Sequence, residues 1–140
     1  MAHTIHVDIV SPEGEIFSGE ATMVFAPGVE GEIGIAPRHA PLLTTLTAGV
    51  VRVQSEGQDE QSFYVGGGAL EIQPTKISVL ADTAARAHDI DEAAAQAAKA
   101  RAEEAMRGHA DKMDIAEAQA ELARAMAQLR AIEHLRKKRR

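Results

Sequence analysis

The side chains best suited to binding chemistry lie in one short stretch, residues 28–46. Its charged and titratable side chains are Glu30, Glu32, Arg38 and His39. Glycine and proline recur through the stretch and fix its backbone, because few apolar residues are present to hold it by packing. Carboxylates and an imidazole on tight turns could form charge-assisted hydrogen bonds with a partner. We therefore interpret residues 28–46 as a loop that presents charged groups.

The remaining sequence contains no pattern that is typical of a catalytic or metal site. The six histidines show neither HExxH nor HxxxH spacing, and no motif pairs a serine with a base. Gly66–Gly68 could suggest a phosphate loop, but a strand pattern follows it where a phosphate loop needs a helix N-terminus. We interpret this triplet as a sheet bend or a close backbone contact. The sequence thus predicts no catalytic group, no metal and no cofactor.

Composition limits the classes of function further. Of the 140 residues 45% are hydrophobic but only 3% are aromatic, which predicts an aliphatic core and disfavours the stacking platforms that bind single-stranded nucleic acid. There is no cysteine, and no apolar run reaches the roughly 18 residues of a membrane span. The first residues lack the features of a signal peptide. We expect a soluble, intracellular protein.

The net charge of -6 is unevenly distributed. Residues 1–86 contain 11 acidic and 4 basic side chains, whereas residues 87–140 contain 10 acidic and 11 basic ones. Five consecutive basic residues form a basic cluster, Arg136, Lys137, Lys138, Arg139 and Arg140. This cluster could bind nucleic acid, an anionic membrane or an acidic protein surface, but its plainest role is to complement the C-terminal end of a helix dipole.

Two periodicities divide the chain into a β unit and an α unit. From His3 to Asp82 apolar and polar residues alternate as in half-buried strands, and turns rich in glycine and proline separate these segments. Many short strands without intervening helices predict an antiparallel β-sandwich or barrel over residues 1–86. After Ala84 the composition changes to strong helix formers, so residues 87–140 are expected to form a helical unit.

This α unit should be an antiparallel two-helix hairpin. A capping-box pattern at Asp89 predicts a first helix over residues 90–107, ended by Gly108. The same pattern at Asp114 predicts a second helix that runs to about residue 136. The segment between the helices is too short for anything but a reversal of direction.

The seam between the two helices is predicted to be weak. In the second helix apolar residues recur at helical spacing: Ile115, Ala118, Leu122, Ala125, Leu129 and Ile132, with Met126 and Leu135 alongside. The first helix offers mostly alanine methyl groups: Ala94, Ala97, Ala98, Ala102 and Ala105. At about 25 cal/mol per Å² such a seam stabilises the hairpin only modestly. The hairpin is therefore expected either to lean on another surface or to move.

Several ordered segments resemble the epsilon-subunit family of bacterial F-type ATP synthases. These segments are Gly31–Ile35, Pro37, His39–Thr44, Val65–Gly67, Leu70–Glu71 and Val79–Thr83. The resemblance implies a sandwich of about ten strands followed by the hairpin, placed with the gamma subunit in the rotating central stalk, against the c-subunit ring and near the alpha and beta subunits. It implies a regulator rather than a catalyst. It also implies a peripheral position at the cytoplasmic face of the bacterial inner membrane, reached only through the complex.

The resemblance also assigns roles to particular residues. Contacts with the polar loops of the c ring fall on Glu32 and His39. In the family the hairpin acts as a switch, which leaves the motor free when folded against the sandwich and blocks ATP hydrolysis when extended along gamma. About 40 helical residues at 1.5 Å each would span roughly 60 Å when opened. The basic cluster at 136–140 would then meet acidic surface on a beta subunit.

Some members of the family bind ATP through the motif I/L-D-x-x-R-A and further arginines in both helices. The matching residues are Ile90, Asp91, Arg101 and Arg124. Ala94 stands at the arginine position of the motif, and Gln128 stands where another arginine would be. Because the missing cations would pair with phosphate, we expect weak ATP binding or none.

Two functions of different classes are therefore considered. The resemblance predicts a non-catalytic rotor subunit that couples proton-driven rotation of the c ring to gamma and to ATP synthesis, with the hairpin as an inhibitor of hydrolysis. The residues alone also allow a free-standing β-sandwich module whose helical tail recognises an anionic partner. Stable association with gamma is expected only for the rotor subunit.

Overall fold

The computed structural model describes residues 3–108 and 112–138, which form a β-sandwich followed by two helices. The strands are β1 (Ile5–Ser11), β2 (Gly14–Ala21), β3 (Met23–Gly28), β4 (Gly31–Ile35), β5 (Leu42–Leu46), β6 (Gly49–Gln54), β7 (Gln61–Val65), β8 (Gly68–Gln73), β9 (Lys76–Ala81) and β10 (Ala84–Arg86). A short 3-10 helix (Ala87–Asp89) leads to α1 (Glu92–Arg107) and α2 (Lys112–Lys138). The predicted order of a ten-stranded sandwich and a helical hairpin is confirmed.

The strands hydrogen-bond in the order β10-β7-β6-β3-β5-β8-β9-β1-β2, and β4 pairs with β3 beside this path. β3 divides its ladder between two neighbours, because Met23 faces Gln54 of β6 whereas Gly28 faces Leu46 of β5. β10 and β2 are the first and last strands of this order. Arg86 Nη2 links them by donating a 2.8 Å hydrogen bond to the Ile16 carbonyl oxygen.

One strand pair departs from the predicted antiparallel pattern. Among the described strands, β1 and β9 alone pair in parallel, with Val7 opposite Ile77. Antiparallel neighbours can be joined by a tight turn, but β1 and β9 are joined by most of the sandwich, so no turn dictates their relative direction. The local sequence pattern therefore contains no signal for this pair.

The core of the sandwich is aliphatic, as predicted. Alternate residues of β1, Ile5, Val7 and Ile9, are completely buried, in agreement with the period of two. The largest fully buried side chains are Phe63, Ile5, Ile9, Ile35, Leu70, Ile72 and Ile77. Phe63 also packs against Phe17, with ring centroids 5.2 Å apart. Together these side chains form one continuous core between the two layers.

The hairpin leans on the outside of the sandwich. α2 lies across β6 and β7, while α1 packs against α2. Ala127 and Ala131 are completely buried in a second cluster with Val50 and Tyr64. α2 is thus a middle layer between the sheet and α1, and small side chains on both contact surfaces let it approach closely.

The start of α1 corrects the sequence prediction. Asp89 belongs to the 3-10 helix, Ile90 is extended, and Asp91 is the N-cap, whose Oδ1 accepts a 3.1 Å hydrogen bond from the Ala94 amide. Ile90 packs against the cluster beneath α2, which holds it out of the helix. Gly108 is the C-cap, as predicted, but its φ of -76° is not left-handed.

The start of α2 also differs from the prediction, because the helix begins at Lys112 rather than at Asp114. Lysine and methionine are good helix formers, so the residues before Asp114 extend the helix. The structure describes no side chain for residues 112–114. Within residues 3–108 and 112–138, no helix is both long and apolar enough to cross a membrane.

The seam of the hairpin is partly as predicted. In α2, Ala118, Ala125 and Ile132 are buried, Ile115, Leu122, Leu129 and Leu135 are half-buried, and Met126 is exposed. In α1 the buried residues are Ala95 and Ala102, whereas Ala94, Ala97 and Ala105 are exposed and Ala98 is half-buried. With alanine at so many positions of α1, the sequence pattern does not determine which side of the helix faces α2.

Candidate functional site

Glu32 lies near the start of β4. Within the described part of the chain, β4 pairs with one strand, β3, so its other edge is open. Glu32 follows Gly31, whose φ of 130° is a left-handed conformation that favours glycine and makes the tight β3–β4 turn possible. Glu32 stands opposite Pro27, and its side chain is 55% exposed. β4 therefore offers a partner both an unpaired backbone edge and a carboxylate.

The Glu32 carboxylate is held from beneath by Arg52 of β6. Arg52 Nη2 lies 3.3 Å and 3.4 Å from the two Glu32 oxygens, and its Nη1 lies 3.5 Å from Glu60 Oε2. Glu60 Oε2 also accepts a 2.9 Å hydrogen bond from Gln54 Nε2. The Arg52 guanidinium stacks over the Phe25 ring at 4.3 Å, and its side chain is only 22% exposed. Arg52 is thus a fixed support for a more exposed carboxylate.

His39 lies in the loop between β4 and β5. Its Nδ1–H donates a 2.7 Å hydrogen bond to the Ala40 carbonyl oxygen, since a carbonyl can only accept, and its backbone amide donates to Ala36 at 3.2 Å. The preceding residue, Arg38, has a φ of 66° and donates its amide to the Pro74 carbonyl at 2.9 Å. The imidazole orientation is therefore fixed by a local backbone contact.

Glu32 and His39 are not brought into contact. Glu32 lies at the beginning of β4, and His39 lies four residues beyond its end at Ile35. The intervening strand alone spans about 10 Å at 3.3 Å per residue. Among the described residues, the hydrogen bonds of Glu32 and His39 go to Arg52 and to backbone carbonyls respectively, not to each other. The two side chains can therefore mark two ends of one edge but cannot act as a pair.

The hairpin residues that match the ATP motif do not form one cluster. Two of them have structural roles, and the two arginines lie elsewhere on the helices. Asp91 caps α1, and Ile90 packs under α2. Arg101 follows Asp91 by ten residues, which is about 15 Å of helix rise. Arg101 and Arg124 are both exposed, and Ala94 at the arginine position of the motif supplies no cation.

The basic cluster of residues 136–140 is described only in part. Arg136 of α2 forms an ion pair with Glu92 in the first turn of α1, and so joins the two open ends of the hairpin. Lys137 is exposed. The structure describes the backbone of Lys138 but not its side chain, and Arg139 and Arg140 lie outside the described residues.

A further polar network lies on the outer face of β1, β2 and β9. His6 Nδ1 lies 2.7 Å from Glu20 Oε2, and its Nε2 lies 2.9 Å from Asp8 Oδ1. Ser18 Oγ donates to the same Asp8 oxygen at 2.7 Å, and Lys76 Nζ lies 3.3 Å from Asp8 Oδ2. Since carboxylates only accept, both contacts of His6 are satisfied only by the protonated ring.

The pKa values in this network shift accordingly. Hydrogen bonds to Glu20 and then to Asp8 raise the pKa of His6. The pKa of Asp8 is lowered by its hydrogen bond from Ser18 and further by His6 and Lys76, and that of Glu20 is lowered by His6 and Thr4. Within residues 3–108 and 112–138, no group of three or more His, Cys, Asp or Glu side chains is arranged to hold a metal ion.

Comparison with known families identifies the chain. Residues 4–87 match the family described as ATP synthase, Delta/Epsilon chain, beta-sandwich domain, and residues 88–133 match ATP synthase, Delta/Epsilon chain, long alpha-helix domain. The chain belongs to the ATP synthase delta/epsilon family. The resemblance to epsilon subunits that the sequence motifs suggested is thereby confirmed.

Relatives within the delta/epsilon family are close and match over nearly their full length. The ATP synthase epsilon chain 1 of Methylococcus capsulatus is 62% identical over 137 residues, which cover 98% of both chains. The ATP synthase epsilon chain of Nitrosococcus oceani is 62% identical over 138 residues, which cover 99% of both chains.

Solved structures share the fold of this family at low sequence identity. A chain of the Euglena gracilis mitochondrial ATP synthase, solved as OSCP/F1/c-ring in rotational state 1, has a TM-score of 0.82 at 17% identity and covers 92% of this chain and 81% of that one. A chain of the Tetrahymena thermophila mitochondrial ATP synthase central stalk and c-ring has a TM-score of 0.60 at 13% identity, covering 93% and 97%.

Sequence reasoning missed Arg52, the residue that supports Glu32. The alternation of Val51, Arg52 and Val53 predicts that Arg52 points out of the core, as it does. Its partner Glu60 is only eight residues away across the β6–β7 connection, but Glu32 is 20 residues away on β4, and no short-range spacing connects Arg52 with Glu32. The ion pair between Arg136 and Glu92 was missed for the same reason, since 44 residues separate the two.

Proposed function

We propose that the chain is a non-catalytic rotor subunit of an F-type ATP synthase, which couples proton-driven rotation of the c ring to gamma and to ATP synthesis on alpha and beta. The match to the delta/epsilon family over residues 4–133 is the observation that carries this proposal. Further support comes from relatives named ATP synthase epsilon chain and from similar chains in a central stalk and c-ring. The subunit would lie peripherally at the cytoplasmic face of the bacterial inner membrane, held there by its partners.

The proposed c-ring contact is the β4 edge with Glu32 and His39 at its two ends. Its support is geometric, because the edge is unpaired by other described strands and Glu32 is exposed but oriented by Arg52. A carboxylate held in this way can exchange its surface ion pair for one with a basic group of a c-ring loop at little cost in side-chain freedom.

Proton pumping in reconstituted vesicles tests this contact. Glu32→Ala combined with His39→Ala should reduce ATP-driven pumping while ATP hydrolysis continues, because coupling rather than chemistry is lost. Glu30→Ala with His3→Ala is the matched control, since both of these residues are exposed and lie off β4. Undiminished pumping in the Glu32/His39 variant would remove the assigned role.

The hairpin is proposed to inhibit ATP hydrolysis when it leaves the sandwich. The docking surface supports this, because the fully buried α2 residues in it, Ala127 and Ala131, are small, and each removes little apolar area from water against Val50 and Tyr64. A difference of a few kcal/mol then suffices to set the balance between docked and extended positions.

Truncation tests both this role and the proposed division into residues 1–86 and 87–140. A chain ending before Asp89 should assemble with gamma and increase ATP hydrolysis by the complex. Unchanged hydrolysis would mean that the hairpin does not inhibit, whereas loss of assembly would mean that residues 1–86 are not an independent unit.

The basic cluster is proposed to contact acidic surface of a beta subunit when the hairpin is extended. Arg136 would first have to leave Glu92, so this residue would contribute to the docked and extended states in turn. Replacing Lys137 with glutamine, which leaves the Arg136–Glu92 ion pair of the docked state intact, should reduce inhibition at low ionic strength more than at high ionic strength, since exposed charges are screened by salt. Equal effects at both salt concentrations would contradict the electrostatic contact.

ATP binding by the isolated chain is proposed to be weak or absent. This expectation rests on Ala94 and Gln128 at cationic positions of the motif and on the use of Asp91 as a helix cap. Calorimetric titration of the full chain with ATP should show no micromolar binding. Micromolar affinity would show that Arg101 and Arg124 suffice.

A further inference from the structure

A groove of about 300 Å³ separates α2 from the β3–β4 turn and the start of β6. We call it the Glu32 groove, because the Glu32 side chain lines it together with Arg52. Its α2 side is lined by Arg130 and His134, and its floor includes the glycines Gly28, Gly31 and Gly49. Glu32, the proposed c-ring contact, and α2 thus lie on opposite sides of the Glu32 groove.

Charge in the Glu32 groove is unevenly balanced. Arg52 is shared between Glu32 and Glu60, and Arg130 adds a further cation from α2. Among the described residues that line the groove, Glu32 is the acidic one, and no ion pair within 4 Å joins it to Arg130. Arg52, Glu32 and Glu60 together carry one net negative charge, which attracts Arg130 across the groove and favours the docked position of α2.

A basic partner that draws the Glu32 carboxylate out of the groove would reverse this balance. Arg52 would keep Glu60 as its partner, but these two together carry no net charge, so the attraction for Arg130 would be lost. Docking of α2 would become less favourable. Because such coupling is reciprocal, a docked α2 would weaken the engagement of Glu32 by the same factor.

We infer that the Glu32 groove links the c-ring contact to the position of the hairpin, with Arg130 as the α2 residue that senses Glu32. This inference rests on the proposed role of Glu32 at the c ring. It adds that engagement of the ring and docking of the hairpin compete for one carboxylate. Binding of a partner to the sandwich would thereby change the position of the hairpin, although Glu32 lies far along the chain from the helices.

A single reporter cysteine measures docking in the isolated full chain. The sequence contains no cysteine, and Ala127 of α2 is a suitable position because it is completely buried against the sheet and does not line the groove. In Ala127→Cys the thiol should react with a neutral maleimide mainly when α2 leaves the sheet, so the reaction rate follows the undocked fraction. A neutral reagent is used because charged variants would otherwise attract or repel it.

The variants are Glu32→Gln, Arg130→Gln and both together, each in the Ala127→Cys background. Each single substitution should increase the thiol reaction rate roughly two- to five-fold, the range that corresponds to exposed charge pairs. The double variant should react more slowly than the product of the two single effects predicts, because both substitutions remove the same interaction. Glu30→Gln and Arg124→Gln are matched controls that do not line the groove and should leave the rate unchanged.

Three outcomes would overturn the inference: unchanged rates in the single variants, effects that multiply in the double variant, or equal increases in the controls. The test is separable from that of the proposed function. Reduced pumping by the Glu32/His39 variant with unchanged thiol reactivity would keep the c-ring contact and remove the link. Increased thiol reactivity with undiminished pumping would keep the groove interaction and remove the c-ring contact.

Discussion

The sandwich and the hairpin are stabilised by side chains of very different size. Fully buried residues of the sandwich are mostly isoleucine, valine, leucine and phenylalanine, whereas the most deeply buried residues of the hairpin are alanines. Burying a large aliphatic side chain contributes about 1.5–3 kcal/mol, but a single methyl contributes about 0.8 kcal/mol. We therefore expect the sandwich core to be much more stable than the docking of the hairpin on it.

The largest effect is expected in the sandwich core. Ile9→Ala should lower the free energy of unfolding by about 2–5 kcal/mol, because Ile9 is completely buried and the cavity cannot fully collapse. Urea unfolding followed by circular dichroism measures this change. Leu80→Ala is the control, since Leu80 is exposed and its loss should change stability by less than about 0.5 kcal/mol. Similar losses in both variants would contradict the difference in packing.

A larger side chain in the docking surface should weaken the docking of the hairpin without changing the stability of the sandwich. Ala131→Leu inserts a larger side chain between α2 and the sheet, which should disfavour docking by about 1–3 kcal/mol. Limited proteolysis should then cleave α2 faster while the urea midpoint of the sandwich hardly changes. Ala123→Leu, on an exposed position of α2, should alter neither. A fall in sandwich stability as large as that of Ile9→Ala would mean that the hairpin and the sandwich unfold as one unit.

The network at His6 predicts a smaller, pH-dependent difference. The raised pKa of His6 means that its bonds stabilise the fold below the ordinary value of 6.5 and are lost as pH rises through the folded value. The lowered pKa values of Asp8 and Glu20 mean that their contribution is present above 3.8 and 4.5 and is lost as pH falls further. Wild type should therefore exceed His6→Gln in stability most between these limits.

Urea unfolding at pH 5.5 and pH 9 tests this window. The difference between wild type and His6→Gln should stay below about 1 kcal/mol, as for other exposed pairs, and should shrink at pH 9. His3→Gln, on an exposed residue before β1, is the control. A difference that grows with pH would reverse the assigned sign.

The smallest effect is expected at Ser62, a polar residue buried in β7. Its Oγ has no hydrogen-bond partner among the described residues. Ser62→Ala should therefore leave stability unchanged or slightly raise it, since no bond is lost and a desolvated hydroxyl is removed. Ser18→Ala should instead cost up to about 1 kcal/mol, because Ser18 donates an exposed hydrogen bond to Asp8. A clear loss in Ser62→Ala, measured by urea unfolding, would indicate that its hydroxyl is bonded.

Much of the fold could be predicted from local patterns, whereas the partners of the functional residues could not. Alternation placed Ile5, Val7 and Ile9 in the core, and composition located the hairpin. The sequence pattern predicts the cap of α1 at Asp89, two residues before the observed cap Asp91, because only the packing of Ile90 under α2 decides between these two candidates. Contacts such as Glu32 with Arg52 depend on how distant strands are juxtaposed, and no spacing in the sequence encodes that arrangement.

The parallel pairing of β1 with β9 has a consequence for the order of events during synthesis. Val7 and Ile77 are separated by 70 residues, so at about 5–20 residues per second β9 is made roughly 4–14 s after β1. Until then β1 can pair only with β2, and an isolated two-stranded hairpin is marginal. The sandwich therefore closes late on the ribosome, and α2 reaches a sheet that has only just been completed.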